Sequence, residues 1–325
     1  MAAADQIKSL IKSFGEGDEE RFFATSMQIA ASEARMGHTT FAQELKKLIE
    51  KAKKERSLTL GDNNRTISIS LPKRELNELI DVFQPKIKLK DMILNPTTSE
   101  ILERIIDEQN KSELLQKYNL HPQRKLLLTG PPGSGKTMTA QAIAGELNLP
   151  VFIVRLDGLI SKFMGESISK LRIIFDTMET QRAVYLFDEF DSIGSHRDQN
   201  MEVGEIKRVL NSFLINIERD ESNSIIIAAT NLPETLDKAL FRRFDSIIAY
   251  PLPSQTEISN VIKRNLKGFT LDQDFNIKEA SRRAEGLNYA DIVRACEEAI
   301  KSSIISGKLS IESNTLYQSI ENRKR

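Results

Sequence analysis

Residues 4–54 carry apolar side chains at the i, i+3/i+4, i+7 spacing of one-faced helices: Ile7, Leu10, Ile11 and Phe14; Phe23, Met27, Ala30 and Ala34; Phe41, Leu45, Leu48 and Ala52. Gly15-Glu16-Gly17-Asp18 and Gly37-His38-Thr39 interrupt these stripes, with Asp18 and Thr39 or Thr40 as candidate N-caps. The polar run Leu60-Gly61-Asp62-Asn63-Asn64-Arg65 then reads as a linker. From Leu126 to Tyr250 the pattern changes. Short continuous apolar runs at 126–129, 151–154, 184–187, 225–229 and 247–249 alternate with helical stretches. Runs apolar on both sides suit strands covered on two faces, so a parallel α/β sheet is expected. After Pro251-Leu252-Pro253 the periodicity is helical throughout, over 257–266, 277–284, 291–304 and 315–321. The chain thus divides into an N-terminal helical bundle over 1–57, a linker over 58–84, an α/β core over 85–253 and an all-α closing module over 254–325. The stripes of the bundle serve either its own core or a docked partner.

Charge and composition narrow the setting. Lys+Arg and Asp+Glu are equal at 46 each, so no overall field draws the chain to nucleic acid or to an anionic membrane, and neither is expected as a partner. The single cysteine, Cys296, cannot close an internal disulfide and falls on an apolar helical position, as a small core residue does. No apolar run approaches the roughly 18 residues of a membrane span. The opening Met1-Ala2-Ala3-Ala4-Asp5-Gln6 lacks the basic and hydrophobic regions of a signal peptide, so a cytoplasmic setting is expected.

The chemistry is concentrated at the ends of the apolar runs. Leu126-Leu127-Leu128-Thr129 passes into Gly130-Pro131-Pro132-Gly133-Ser134-Gly135-Lys136-Thr137-Met138, a glycine-rich loop that opens a helix. This is the spacing of a phosphate loop: Gly133 and Gly135 let the backbone curl until its N–H groups face the β- and γ-phosphates. Lys136 adds a positive charge and Thr137 a hydroxyl ligand for Mg²⁺. The second run of interest, Val184-Tyr185-Leu186-Phe187, ends in Asp188-Glu189. Ligands of such sheets bind at that edge, where Asp188 would hold Mg²⁺ and Glu189 would deprotonate the attacking water. The run 225–229 finishes at Thr230-Asn231. The Asn231 amide there either holds that water, senses the γ-phosphate or is a polar turn former. Beyond it, Phe241-Arg242-Arg243-Phe244-Asp245 places two guanidinium groups, suited to bidentate donation to phosphate, beside apolar anchors.

Over about 85–322 these residues resemble the AAA+ ATPases, in their AAA subgroup: 130–137 match Walker A, 184–189 Walker B, Asn231 sensor 1, and Arg242 with Arg243 the arginine fingers. Adjacent fingers, without an intervening Pro-Gly, are most similar to the katanin and spastin branch. The resemblance implies a P-loop NTPase core with a helical lid, ATP and Mg²⁺ as cofactors, and a homo-oligomeric ring, normally a hexamer, whose fingers reach the neighbouring subunit's nucleotide. Gly286-Leu287-Asn288-Tyr289-Ala290-Asp291 falls on the family's lid stretch near the adenine, with Tyr289 in place of the usual Gly. That side chain stacks on the base, narrows the pocket or turns outward. Asp91-Met92-Ile93-Leu94 resembles the segment that reads the adenine edge, and the usual second-sensor arginine has no counterpart.

The loop Ser161-Lys162-Phe163-Met164-Gly165-Glu166-Ser167 sets two large apolar side chains where loops usually face water. Either they fold back into the core or, as the resemblance implies, Lys162, Phe163 and Met164 form the first pore loop and grip an extended polypeptide. The expected function is ATP-driven remodelling, unfolding or threading of a protein substrate. Two alternatives remain open: a nucleic-acid loader or motor, and an ATP-timed switch acting on the N-terminal bundle. The whole-chain layout also resembles bacterial stand-alone AAA ATPases encoded beside subtilisin-like serine proteases in defence cassettes, which implies such a protease as partner. The chain's own histidines, His38, His121 and His196, lie in loop-like segments with no paired nucleophile and read as surface residues.

Overall fold

The computed structural model describes residues 19–38, 41–49, 79–159, 166–191, 202–272, 275–307 and 310–324. The stripe 7–14, the polar run 60–65, the loop residues Lys162, Phe163 and Met164, and His196 lie outside them. The chain forms two compact units, 1–70 and 71–325.

In the first unit, helix α1 (Glu19–Arg35) ends at Gly37, whose φ of 89° suits a residue without Cβ, and a second helix, α2, spans 41–49. Ala30 and Ala42 are buried, whereas Phe41 and Leu48 are exposed.

The second unit is built on a six-stranded sheet: β1 (Ile80–Phe83), β2 (Lys125–Thr129), β3 (Val151–Val154), β4 (Val184–Phe187), β5 (Ile225–Thr230) and β6 (Ser246–Ala249), in the order β1-β3-β4-β5-β2-β6. The five strands from β2 onward pair parallel, as the apolar runs predict. The exception is β1, which runs antiparallel along β3 from Ile80 opposite Val154 to Phe83 opposite Val151. It lies within the stretch 58–84 read as linker. Four residues with an Asp among them carry little strand signal, and one edge of the sheet suffices to hold them.

Alternate side chains of the parallel strands face opposite layers. Leu126, Leu128, Val184, Leu186, Ile225, Ile227 and Ala229 pack on one face with Leu102 and Ile105 of α3 (Pro96–Asn110) and Ala140, Ile143 and Ala144 of the helix that follows the glycine-rich loop. After the short α4 (Ser112–Gln116), that helix is α5 (Lys136–Leu147). On the other face, beyond α6 (Leu156–Leu159), Phe175 of α7 (Glu166–Thr180) and Phe213 of α8 (Glu202–Arg219) close over Phe187, with ring centroids 6.2 Å and 5.0 Å from it. Burial on both faces explains why these strands read as continuous apolar runs.

After α9 (Lys238–Phe241) and β6, the chain enters the closing module: α10 (Gln255–Asn265), α11 (Ile277–Arg283), α12 (Tyr289–Ile305) and α13 (Ser313–Arg323). Ser254 and Glu257 form a capping box at the start of α10. The module has its own core, in which Cys296 is fully buried among Ile262, Ile292 and Leu316. It is not wholly helical. Thr270–Leu271 (β7) and Ser310–Ile311 (β8) pair in parallel, a match two residues long and too short to leave a period in the sequence.

Candidate active site

The carboxyl ends of β2, β4 and β5 meet at one place. At β2 the chain passes through Gly130, Gly133 and Gly135 with φ of 147°, 71° and 99°, a left-handed path that side chains disfavour. At Gly133 space is also short: a Cβ would lie 2.6 Å from Asn288 Oδ1 and 3.0 Å from Ala290 Cβ. The closing module thus touches the loop directly, and Ala290 N donates to Gly133 O at 3.1 Å. Pro132 is exposed, Ser134 is buried, and Met138 is half-buried in the first turn of α5.

Lys136 lies under this loop, 6% exposed, and its Nζ donates to Gly130 O at 2.7 Å, Pro131 O at 2.9 Å and Asn231 Oδ1 at 2.8 Å. An ammonium has three N–H groups, so donation to a phosphate requires the exchange of one of these partners. Burial pushes the ammonium below its ordinary value, opposed by the charges of Asp188 and Asp191.

One residue on, Thr137 Oγ1 donates to Asp188 Oδ2 at 2.6 Å. A hydroxyl and a carboxylate in contact, beside a loop shaped for phosphate, form an oxygen donor set that fits Mg²⁺. Among the described residues no group of three or more His, Cys, Asp or Glu is placed to hold a metal ion. The other oxygen, Asp188 Oδ1, accepts from Glu189 N at 2.9 Å. Glu189 is exposed and has φ of 50°, an uncommon backbone for a residue with a long side chain.

The structure therefore brings together the glycine-rich loop, Lys136, Thr137, Asp188, Glu189 and Asn231. It does not bring Arg242 and Arg243 to them. Arg242 is exposed and, among the described residues, its side chain makes no hydrogen bond or ion pair, whereas Arg243 Nε stands 3.0 Å from Glu218 Oε2. Tyr289 packs half-buried against the core of the closing module, beside the Glu257 carboxylate. Burial, reinforced by that negative charge, pushes its hydroxyl well above the ordinary value. Met92 comes against the loop, its Cε 3.6 Å from where a Cβ on Gly135 would lie, and Ile93 packs on the closing module.

Three participants escape the motif spacing. Tyr250 OH lies 2.6 Å from Thr139 Oγ1, which donates to Gly135 O at 3.1 Å and so supports the loop from below. Asn288 caps α12 by accepting from Asp291 N at 2.8 Å while its side chain abuts Gly133. An Asn three residues before an acidic residue at a helix start is a capping signal, but capping alone does not place it at the loop. Asp191 accepts from Thr230 Oγ1 and Asn231 N, both at 2.9 Å.

Comparison with known proteins bears on this arrangement. Residues 126–252 match the family model for AAA, the ATPase family associated with various cellular activities. The chain is 31% identical over 326 residues to the uncharacterized AAA family ATPase y4kL of Sinorhizobium fredii, covering 100% of this chain and 96% of that protein. It is 34% identical over 236 residues to a proteasome-activating nucleotidase of Methanoculleus marisnigri, covering 70% of this chain and 57% of that protein. To the ATP-dependent zinc metalloprotease FtsH of Helicobacter pylori it is 31% identical over 253 residues, 75% of this chain and 40% of that protein. Among the described residues no helix is long and apolar enough to cross a membrane. With one relative matched from end to end and the family model ending where the sheet gives way to the closing module, the chain belongs to the AAA family of ATPases.

Proposed function

We propose that this ATPase hydrolyses Mg²⁺-ATP at the boundary between subunits of a homomeric ring, a hexamer by resemblance, and uses the cycle to remodel, unfold or thread a protein. The observation that carries the reading is the meeting of Lys136, Asn231, Thr137 and Asp188 at three adjacent strand ends. The loop N–H groups and Lys136 hold the phosphates; Thr137 and Asp188 would hold Mg²⁺, which would supply charge neutralisation on the phosphate oxygens. Glu189 takes a proton from the attacking water as the bond to the γ-phosphorus forms, and the bond to the β-bridging oxygen breaks to release ADP. Asn231 orients that water. Arg242, without a side-chain partner among the described residues, donates to the phosphate held by the next subunit.

A protein substrate is supported by two relatives, a proteasome-activating nucleotidase and a metalloprotease whose name includes ATP dependence. Lys162, Phe163 and Met164 form the pore loop in this reading, gripping by apolar area rather than by sequence. Residues 1–57 select or dock the substrate or a partner, 58–84 connect them to the core over 85–253, and 254–325 form the lid. Adjacent arginines favour the katanin and spastin branch, and the whole-chain layout favours a cytoplasmic defence system with a subtilisin-like protease partner.

The test is Glu189→Gln. Labelled ATP should bind and the ring should assemble while turnover stops, and capture with this variant in ATP should retain the substrate. Continued hydrolysis would contradict the role given to Glu189.

A further inference from the structure

Asp191 stands three residues beyond Asp188 and belongs to none of the motifs that mark the site. The chain leaves β4 at Phe187, turns through Glu189 in its left-handed conformation and is caught again at Phe190. Phe190 N donates to Ala229 O at 2.8 Å, and its fully buried ring lies 4.8 Å from that of Phe213. Asp191 is thereby set beside the end of β5. A single oxygen, Oδ1, accepts from both Thr230 Oγ1 and Asn231 N at 2.9 Å. Thr230 is fully buried, so its hydroxyl has no solvent to turn to and needs this acceptor. The hydroxyl accepts in turn from Leu232 N at 3.1 Å. Asn231 is held on one side and used on the other, since its amide oxygen receives Lys136 Nζ at 2.8 Å.

We propose that Asp191 is a positioning residue for ATP hydrolysis: it fixes the Thr230-Asn231 strand end so that the Asn231 amide is aimed at Lys136, and it closes the turn that keeps Glu189 in its left-handed backbone. The proposal rests on the reading of Lys136, Glu189 and Asn231 as hydrolytic groups. Hydrogen bonds to a carboxylate are roughly twice as strong as neutral ones, and two converge here on one atom. A left-handed glutamate persists only where its surroundings over-determine it. Asp188 Oδ1 fastens the Glu189 N–H, Phe190 fastens the next peptide, and Asp191 is the third anchor.

The experiment compares the full-length chain with Asp191→Ala, Asp191→Asn, Thr230→Val and Glu189→Gln at matched assembly state, measuring kcat and KM for ATP, affinity for a fluorescent ATP analogue, and thermal melting. Asp191→Ala should lower kcat by about 10- to 100-fold, the loss expected of groups displaced by about 1 Å, with KM and analogue affinity within about threefold. Asp191→Asn keeps an acceptor oxygen and should recover most of that loss, which a charge effect or a generally damaged fold would not allow. Thr230→Val removes one of the two donors and should lower kcat about severalfold at unchanged KM. A parental kcat in Asp191→Ala, or an Asp191→Asn as slow as Asp191→Ala, overturns the proposal while an inert Glu189→Gln leaves the reading of the site intact. If Asp191→Ala shows no melting transition, Thr230→Val decides, and a parental kcat there overturns the proposal. An active Glu189→Gln overturns the reading of the site and the proposal with it.

Discussion

Ala290 N donates to Gly133 O at 3.1 Å, joining the first turn of α12 to the middle of the glycine-rich loop across more than 150 residues of sequence. Any movement of the closing module would therefore reach the glycine-rich loop directly, and the contact is unusually sensitive to side-chain volume. In Gly133→Ala the new Cβ would meet Asn288 Oδ1 at 2.6 Å on a backbone with φ of 71°. Strain of this kind costs about 1–3 kcal/mol. ATP affinity should fall by roughly fivefold to a hundredfold, as 1.4 kcal/mol is a factor of ten. Adding Asn288→Ala removes the nearer clash and leaves the strained φ, so titration of labelled ATP should show partial recovery only.

The two adjacent arginines should separate in experiment. Arg242→Ala removes an exposed side chain with no internal partner among the described residues, so melting should be unchanged while turnover falls by about 10³-fold. Mixing it with Glu189→Gln subunits should restore part of the activity, because one subunit then supplies the guanidinium and its neighbour the intact carboxylate. A fully active Arg242→Ala rules out donation in trans. Arg243→Ala strips Glu218 of its counter-ion at 3.0 Å and should lower the stability read from thermal melting by at most about 1 kcal/mol for so open a pair.

Cys296 offers a probe of the closing module. It is the chain's single cysteine, fully buried in α12, and burial with the nearby Glu297 charge pushes its thiol up to about 12 from an ordinary 9.0. At pH 8 a thiol-alkylating reagent should leave the folded protein unlabelled and label it at the rate at which α12 opens. Between pH 9.0 and about 12 the unfolded thiol ionises while the folded one stays protonated, so the module should lose stability as pH rises through that window. Labelling of the native protein as fast as of the unfolded chain would contradict the burial.

A fourth prediction concerns Phe163. Phe163→Ala should reduce processing of an unfolded protein substrate at least about tenfold more than it reduces ATP turnover, since one large apolar contact is worth about 2 kcal/mol. Equal losses in both assays would argue against a gripping role.

Where the sequence was informative, a physical period or a steric requirement lay behind it. The strands β2 to β5 were legible because burial on both faces leaves uninterrupted apolar runs, and the glycine-rich loop because its left-handed path admits few other residues. By contrast, β1 is four residues held on one edge, and β7 with β8 is a two-residue pair. The partners of Asp191 lie 39 and 40 positions away and Asn288 reaches back to Gly133, contacts that only the folded topology creates. The surroundings of Tyr289 were illegible for the same reason, since Glu257 becomes its neighbour only once α10 and α12 pack. Helix starts were better marked, as at Ser254 and Glu257, because capping acts over three residues.

Glu189 occupies a backbone region that glycine and asparagine enter with far less strain. Breeding this chain for heat resistance alone would therefore favour those two residues at position 189, and under the proposed function such winners would be sturdier and inert. Any programme of laboratory evolution on this scaffold has to score turnover alongside survival, because under the proposed function a gain in hardiness at position 189 would remove the group that addresses the attacking water.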